Sequence, residues 1–314
     1  MTTQLHKGSR YSESEYSDCL EESYSVNWNI KDVLGDRAFD TSKRWLPSAL
    51  SAAERITCLD DQEKIKLTHL EMGAYAHIFG YVEEFIAPLM SSRALNFKID
   101  HRPVFDALTN FASEEVKHMT LFREIRAKVE QTVGFPLTLL QGEKDVAKFV
   151  LSRNTGGVLL LIACIEFFTQ LHYVKAFKDD ESLDPLTRHI FKSHWLEESQ
   201  HARMDHMETL RIFETLDKRQ SDEAIDDLIA LVVAVDGLIQ KQAGFDVQNL
   251  GTYLKRELSE AEKNEIYSCE VRAKRYCFIE SGVTHPSFVN LFGSVTTPDQ
   301  QEKVQKGLTT LLAS

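Results

Sequence analysis

One repeated spacing restricts the folding of this 314-residue chain more than any other feature. Glu83 stands 32 residues before the tetrad Glu115-Val116-Lys117-His118, and Glu166 stands 32 residues before Glu198-Ser199-Gln200-His201. The set Glu83, Glu115, His118 therefore returns 83 residues later as Glu166, Glu198, His201. A lone Glu-x-x-His match is expected about once by chance in a chain of this composition, so neither tetrad is informative alone. Their joint repetition reads as two helix pairs, each giving Glu from one helix and Glu-x-x-His from the next. Spacing i, i+3 puts the two side chains of each tetrad on one helical face.

That pattern is what a dinuclear carboxylate site inside a four-helix bundle requires, with one Glu from each of two helices and Glu-x-x-His from each of the others. Mixed oxygen and nitrogen donors suit iron or manganese rather than a thiolate-bound metal. Glu166 points the same way, because it lies in the apolar run Val158–Phe168, where an ionised, unpaired carboxylate would carry a heavy desolvation penalty. Glu84 could replace its neighbour Glu83, but only Glu83 keeps the 32-residue interval. Glu114 and Glu197 precede the ligand glutamates directly; they are either exposed charges or acceptors for the outer ring N–H of the histidine on the opposite helix.

The periodicity around these residues is helical nearly throughout. An apolar stripe covers about 60–90, and a second helix is expected from the "DHRP" stretch, with Asp100 as cap and Pro103 in its first turn. A third spans roughly 145–178, and a fourth begins at Asp184-Pro185 and runs to about 216. Further helices are expected near 221–242, 258–281 and 298–313, with no alternating strand and no Gly-rich phosphate loop. Residues 1–25 are polar and weakly patterned, which predicts a mobile arm ahead of a single helical domain, 26–314. Its bundle is expected at about 60–216, with accessory helices at about 221–314.

Composition excludes several classes of function. A net charge of −12 opposes nucleic acid and anionic lipid, both of which select clustered cations. The longest apolar run is too short to cross a bilayer, and no leader pattern opens the chain, so a cytoplasmic location is expected. Five cysteines without a CxxC pair suit reduced, mostly buried thiols.

The fourth helix adds His194, which makes the pattern H-x-x-x-E-x-x-H in "HWLEESQH". With an acidic residue before each Glu-x-x-His, this resembles the p-aminobenzoate N-oxygenase family of ferritin-like diiron oxygenases. "VEEFIAP", "SEEVKH" and "CIEFF" look like that family's other ligand segments, and the likeness covers about residues 50–215. It implies an all-α, ferritin-like four-helix bundle with flanking helices. It also implies two iron ions held by Glu83, Glu115, His118, Glu166, His194, Glu198 and His201, with manganese as a possible substitute. The implied activity is O2 activation through a peroxo-diferric species and oxidation of an amine, through hydroxylamine, toward a nitro group. No organic cofactor and no catalytic residue beyond the ligands is expected. The expected partners are a small-molecule amine, an electron donor (a reductase, a ferredoxin or a chemical reductant) and a second copy of the chain in a homodimer. A C-hydroxylase or desaturase is the runner-up; iron storage and a bundle without chemistry are the other classes. Because His194 and His201 are two turns apart, roughly 10 Å, a shared metal would need a locally widened helix near 195–198. The aromatics Phe111, Phe122, Phe167, Phe168 and Trp195 are expected either to line a pocket or to pack the core.

Overall fold

A computed structural model of the chain describes residues 12–97 and 100–313. The helices are α1 (Glu13–Val26), α2 (Ile30–Val33), α3 (Asp61–Ala94), α4 (Arg102–Val133), α5 (Glu143–Leu151), α6 (Thr155–His172), α7 (Pro185–Phe213), α8 (Lys218–Leu254), α9 (Glu260–Arg275), α10 (Ser281–Val283), α11 (Pro286–Val295) and α12 (Pro298–Ala313). No strand occurs among the described residues, and the architecture is all-α and ferritin-like. The long α3 and α4 pack together as one pair, α6 and α7 as the other, and α8 covers α3 and α6.

Local chemistry places the ends of the bundle helices. Asp60 accepts from Glu63 N–H at 2.9 Å while Glu63 reaches back to Asp60 N–H at 3.2 Å, a reciprocal cap that starts α3. Asp184 accepts from Thr187 N–H at 2.8 Å and Pro185 occupies the first turn of α7, as the sequence pattern predicts. Gly134, at φ 88°, ends α4 in the left-handed conformation that glycine adopts without steric cost. The start of α4 differs from expectation: His101, not Asp100, occupies the cap position, and the helix begins at Arg102.

Three further differences have physical causes. The predicted helix over 145–178 is two helices, because the chain breaks at 152–154 and Asn154 caps a new start by accepting from Gly156 N–H at 2.9 Å. The arm expected over 1–25 lies partly outside the described residues. Over Glu13–Val26 that expectation is wrong: Tyr16, Cys19 and Ser23 form a sparse helical stripe, and all three are buried where α1 packs on α4 and α7. The Tyr16 hydroxyl donates to Glu208 Oε1 at 2.7 Å across 192 residues of sequence. Finally, the expected widening at 195–198 is absent. The chain is π-helical at Tyr173–Phe177 and Tyr276–Glu280 instead, while α7 is regular throughout.

Two segments, Thr155–Phe177 and Lys218–Leu254, are long and apolar enough to cross a bilayer. The first extends well beyond the apolar run 158–168 and is 83% buried in its apolar window, the environment of a core helix. Its start needs close backbone contact with α8: a Cβ on Gly157 would sit 2.5 Å from the Ala224 carbonyl oxygen and 3.2 Å from Leu228 N. Neither atom can rotate away. Gly157→Ala should therefore destabilise the fold by about 1–3 kcal/mol, read as a lower urea midpoint; an unchanged midpoint would show that α6 and α8 can separate freely.

Candidate metal centre

Each bundle helix turns a polar stripe inward. Glu83 comes from α3, Glu115 and His118 from α4, Glu166 from α6, and His194, Glu198 and His201 from α7. All seven are buried, none more than 3% exposed. Glu84, by contrast, turns away and pairs with Arg123 at 2.7 Å.

The two Glu-x-x-His tetrads interlock across α4 and α7. Glu198 presents Oε1 to His118 Nδ1 at 3.1 Å and to His194 Nε2 at 2.5 Å, and Oε2 to His201 Nδ1 at 2.9 Å. Glu115 presents Oε1 to His201 Nδ1 at 2.6 Å and Oε2 to His118 Nδ1 at 3.7 Å. Each of these carboxylates therefore spans both imidazole positions. Donor atoms of Glu83, His118, His194 and Glu198 lie within 4.8 Å of one another, as do those of Glu115, His118, Glu198 and His201. His194 and His201 fall in different groups, so a regular α7 suffices and no helical widening is needed. Glu166 joins neither group, but it is enclosed beside Glu198 and Glu115, and their negative charges act on it.

The outer nitrogens are held by the two acidic neighbours. His118 Nε2 lies 2.9 Å from Glu197 Oε2, and His201 Nε2 lies 3.0 Å from Glu114 Oε2. A carboxylate can only accept, so each outer nitrogen carries the proton and each Nδ1 faces the centre. Glu197 in turn is held by the Lys117 ammonium, which also donates to Asn27 Oδ1 and to the Trp28 carbonyl, both at 3.1 Å. Glu114 is held by the Ser23 hydroxyl. Sequence reasoning missed Lys117, Ser23 and Trp28; Lys117 sits inside the tetrad "EVKH", but only the fold shows that it crosses to α7.

These buried groups fit a cation. Glu83 Oε2, both oxygens of Glu115, Glu166 Oε2, His118 Nδ1 and His194 Nε2 have no aligned hydrogen-bond partner, despite the short separations. Most of these atoms are gathered in the same buried space. The electrostatics agree. Burial opposes charge on His118, yet Glu198 and the hydrogen-bonding carboxylates raise its pKa well above the ordinary imidazole value; burial also opposes charge on His201, and Glu115 and Glu198 raise it likewise. Burial lowers His194, partly offset by Glu198. Burial opposes ionisation of Glu198, but the imidazoles of His194, His118 and His201 hold it well below the carboxylate range. Burial, then the Glu198 and Glu115 charges, raise Glu166 far above it. Asp205, one turn beyond His201 and with neither oxygen hydrogen-bonded, is also raised by burial, against the influence of His201.

Aromatic rings close the surroundings. Phe111 stacks on His201 at 3.9 Å, and Phe122 and Phe79 meet His194 edge-on at 5.0 and 5.8 Å. Phe167 and Trp195 instead stack on His285 and Tyr173.

Without metal, His118, His201, Glu166 and Asp205 all have folded pKa values above their unfolded ones. The stability they supply is complete below the unfolded values and is lost as pH rises through the folded ones. Above about pH 6.5 the depressed histidines are neutral in both states and no longer oppose this trend. Urea stability of chelator-treated protein should therefore fall from about pH 6.5 upward, and metal loading, which displaces the imidazole protons, should remove that slope. A flat profile in the metal-free protein would contradict the charge assignment.

The profile of the family described as P-aminobenzoate N-oxygenase AurF matches residues 4–248. That match begins earlier and ends later than the span legible from the motifs. A comparison with curated proteins finds no match.

Proposed function

Because the chain belongs to the p-aminobenzoate N-oxygenase AurF family, we propose that it is a diiron oxygenase that oxidises the nitrogen of a small-molecule amine, through the hydroxylamine toward the nitro group. The observation that carries this reading is the pair of buried carboxylates, Glu115 and Glu198, each facing both imidazole positions. Glu83, His118, His194 and Glu198 would hold one iron, and Glu115, His201 and Glu198 the other, with Glu166 completing the set. Iron held by these residues would supply the electrons for reduction of O2 and transfer of one oxygen atom to the amine, the other leaving as water.

The chain's own residues prepare that chemistry. Glu197 and Glu114 retain the outer ring protons and so keep both Nδ1 lone pairs directed inward. The protonated carboxyl of Glu166 must give up its proton when a cation arrives, which couples loading to proton release. Phe79, Phe111 and Phe122 exclude water from the imidazoles, so electrostatic interactions at the centre are less screened than in solvent. We further propose that the enzyme works in the cytoplasm as a homodimer, takes electrons from a reductase, a ferredoxin or a chemical reductant, and accepts manganese in place of iron. Five unpaired cysteines suit a reducing compartment.

Metal analysis and product analysis test the reading together. Iron-loaded protein should carry about two irons per chain. Glu198→Ala, which removes the carboxylate common to both groups, should lose both, whereas His194→Ala should weaken one. Reduced protein mixed with O2 and a panel of aryl and alkyl amines should release hydroxylamine or nitro products by mass spectrometry. Products hydroxylated or desaturated at carbon would transfer the reading to the runner-up chemistry, and many irons per chain in a cage-sized particle would favour storage.

A further inference from the structure

A cavity of about 340 Å³ lies between α3, α5, α6 and α8, in the lower part of the size range of small-molecule sites. Val82 and Phe85 line it from α3, and Ile165 and Phe168 from α6. Val82 and Ile165 immediately precede Glu83 and Glu166, whose helices bring carboxylates but no imidazole to the centre. Phe168 in the cavity wall meets Phe79 edge-on at 6.1 Å, and Phe79 meets His194 in the same way. One aromatic layer thus connects the cavity wall to the centre.

The walls hold no cation. Among the described lining residues the one charged side chain is Asp145 on α5, which is 87% exposed. The Tyr81 hydroxyl is buried and has no hydrogen-bond partner. An anionic group entering this space would lose its hydration without gaining a counter-ion from the walls, which is strongly unfavourable; Asp145 itself lies 3.9 Å from the Lys148 ammonium in solvent. An apolar body would gain from burial.

Resting on the N-oxygenase reading, we propose that this cavity selects an apolar amine whose body carries no carboxylate or phosphate, with the Tyr81 hydroxyl available for one neutral hydrogen-bonding group. A second hollow of about 270 Å³, also bordered by Tyr81, contains Arg126 and Lys144 alongside Glu84 and Glu143, and it is where a carboxylate would find a cation.

The test uses two amines of similar shape, 4-isopropylaniline and 4-aminobenzoate, titrated into the iron-loaded, reduced protein without O2 and followed by calorimetry. The neutral amine should bind at least about 100-fold more tightly. Leu238→Arg, which places a cation in the cavity wall, should narrow the gap to within about 10-fold. Equal or tighter binding of 4-aminobenzoate to the unaltered protein overturns the assignment, as does failure of 4-isopropylaniline to bind. Loss of that 4-aminobenzoate binding in Arg126→Leu would locate the ring in the other hollow. Admitting O2 afterwards separates the two ideas: the binding preference without hydroxylamine supports the cavity's selectivity and removes the N-oxygenase reading.

Discussion

Four carboxylates and three imidazoles are withdrawn from water at the centre of this bundle, and positive charge has to accompany them. An isolated ion in such surroundings is unfavourable by several kcal/mol. In the metal-free state the compensation comes from protons, carried by His118, His201 and Glu166. The same positions would serve as ligands if a metal ion displaced those protons. Burial of Glu115 and Glu198 thus determines both the need for a cation and the place where it would sit, and the four helices are spaced around that requirement.

The surroundings of the two outer carboxylates are unequal. Glu197 rests against an ammonium, itself 4.3 Å from the centroid of the Trp28 ring, whereas Glu114 receives a neutral hydroxyl from Ser23. Burial opposes the negative charge of Glu114, but His201, first through its hydrogen bond, holds its pKa below the ordinary value. The carboxylate behind His118 is therefore neutralised by a lysine, while the one behind His201 keeps its charge to polarise the ring. Both arrangements draw on the segment before α3, which supplies Ser23, Asn27 and Trp28.

The bundle was legible in the sequence because its centre is periodic. A carboxylate inside an apolar helix and a doubled Glu-x-x-His leave few alternatives, and Asp184-Pro185 marks the start of α7 unambiguously. Less was legible where tertiary contacts override local pattern. In α1 Tyr16, Cys19 and Ser23 are buried and Leu20 packs partly against the core, too sparse a stripe to distinguish from a polar arm. The break before α6 depends on Asn154 capping a glycine pair that must approach α8. The widening assigned to α7 assumed that His194 and His201 meet at one ion, an assumption that two neighbouring groups of donors make unnecessary. A second buried ionic network, in which the Lys274 ammonium meets Asp246 of α8 at 2.6 Å and pairs with Glu270 one turn earlier on α9, gave no warning in the sequence because a Glu–Lys pair at i, i+4 ordinarily marks a solvated helix face and Asp246 comes from another helix.

The bond from Tyr16 to Glu208 joins the first described helix to the last turns of α7. Contacts this distant along the chain close late, since a large loop must be ordered before they form. A chain still emerging from the ribosome therefore has α3 and α4 paired before α1 finds its seat on α7. Ser23, Asn27 and Trp28 need only α4 to reach Glu114 and Lys117, whereas His194, Glu198 and His201 all lie on α7, so metal capture is best matched to a polypeptide that has completed that helix rather than to a nascent one.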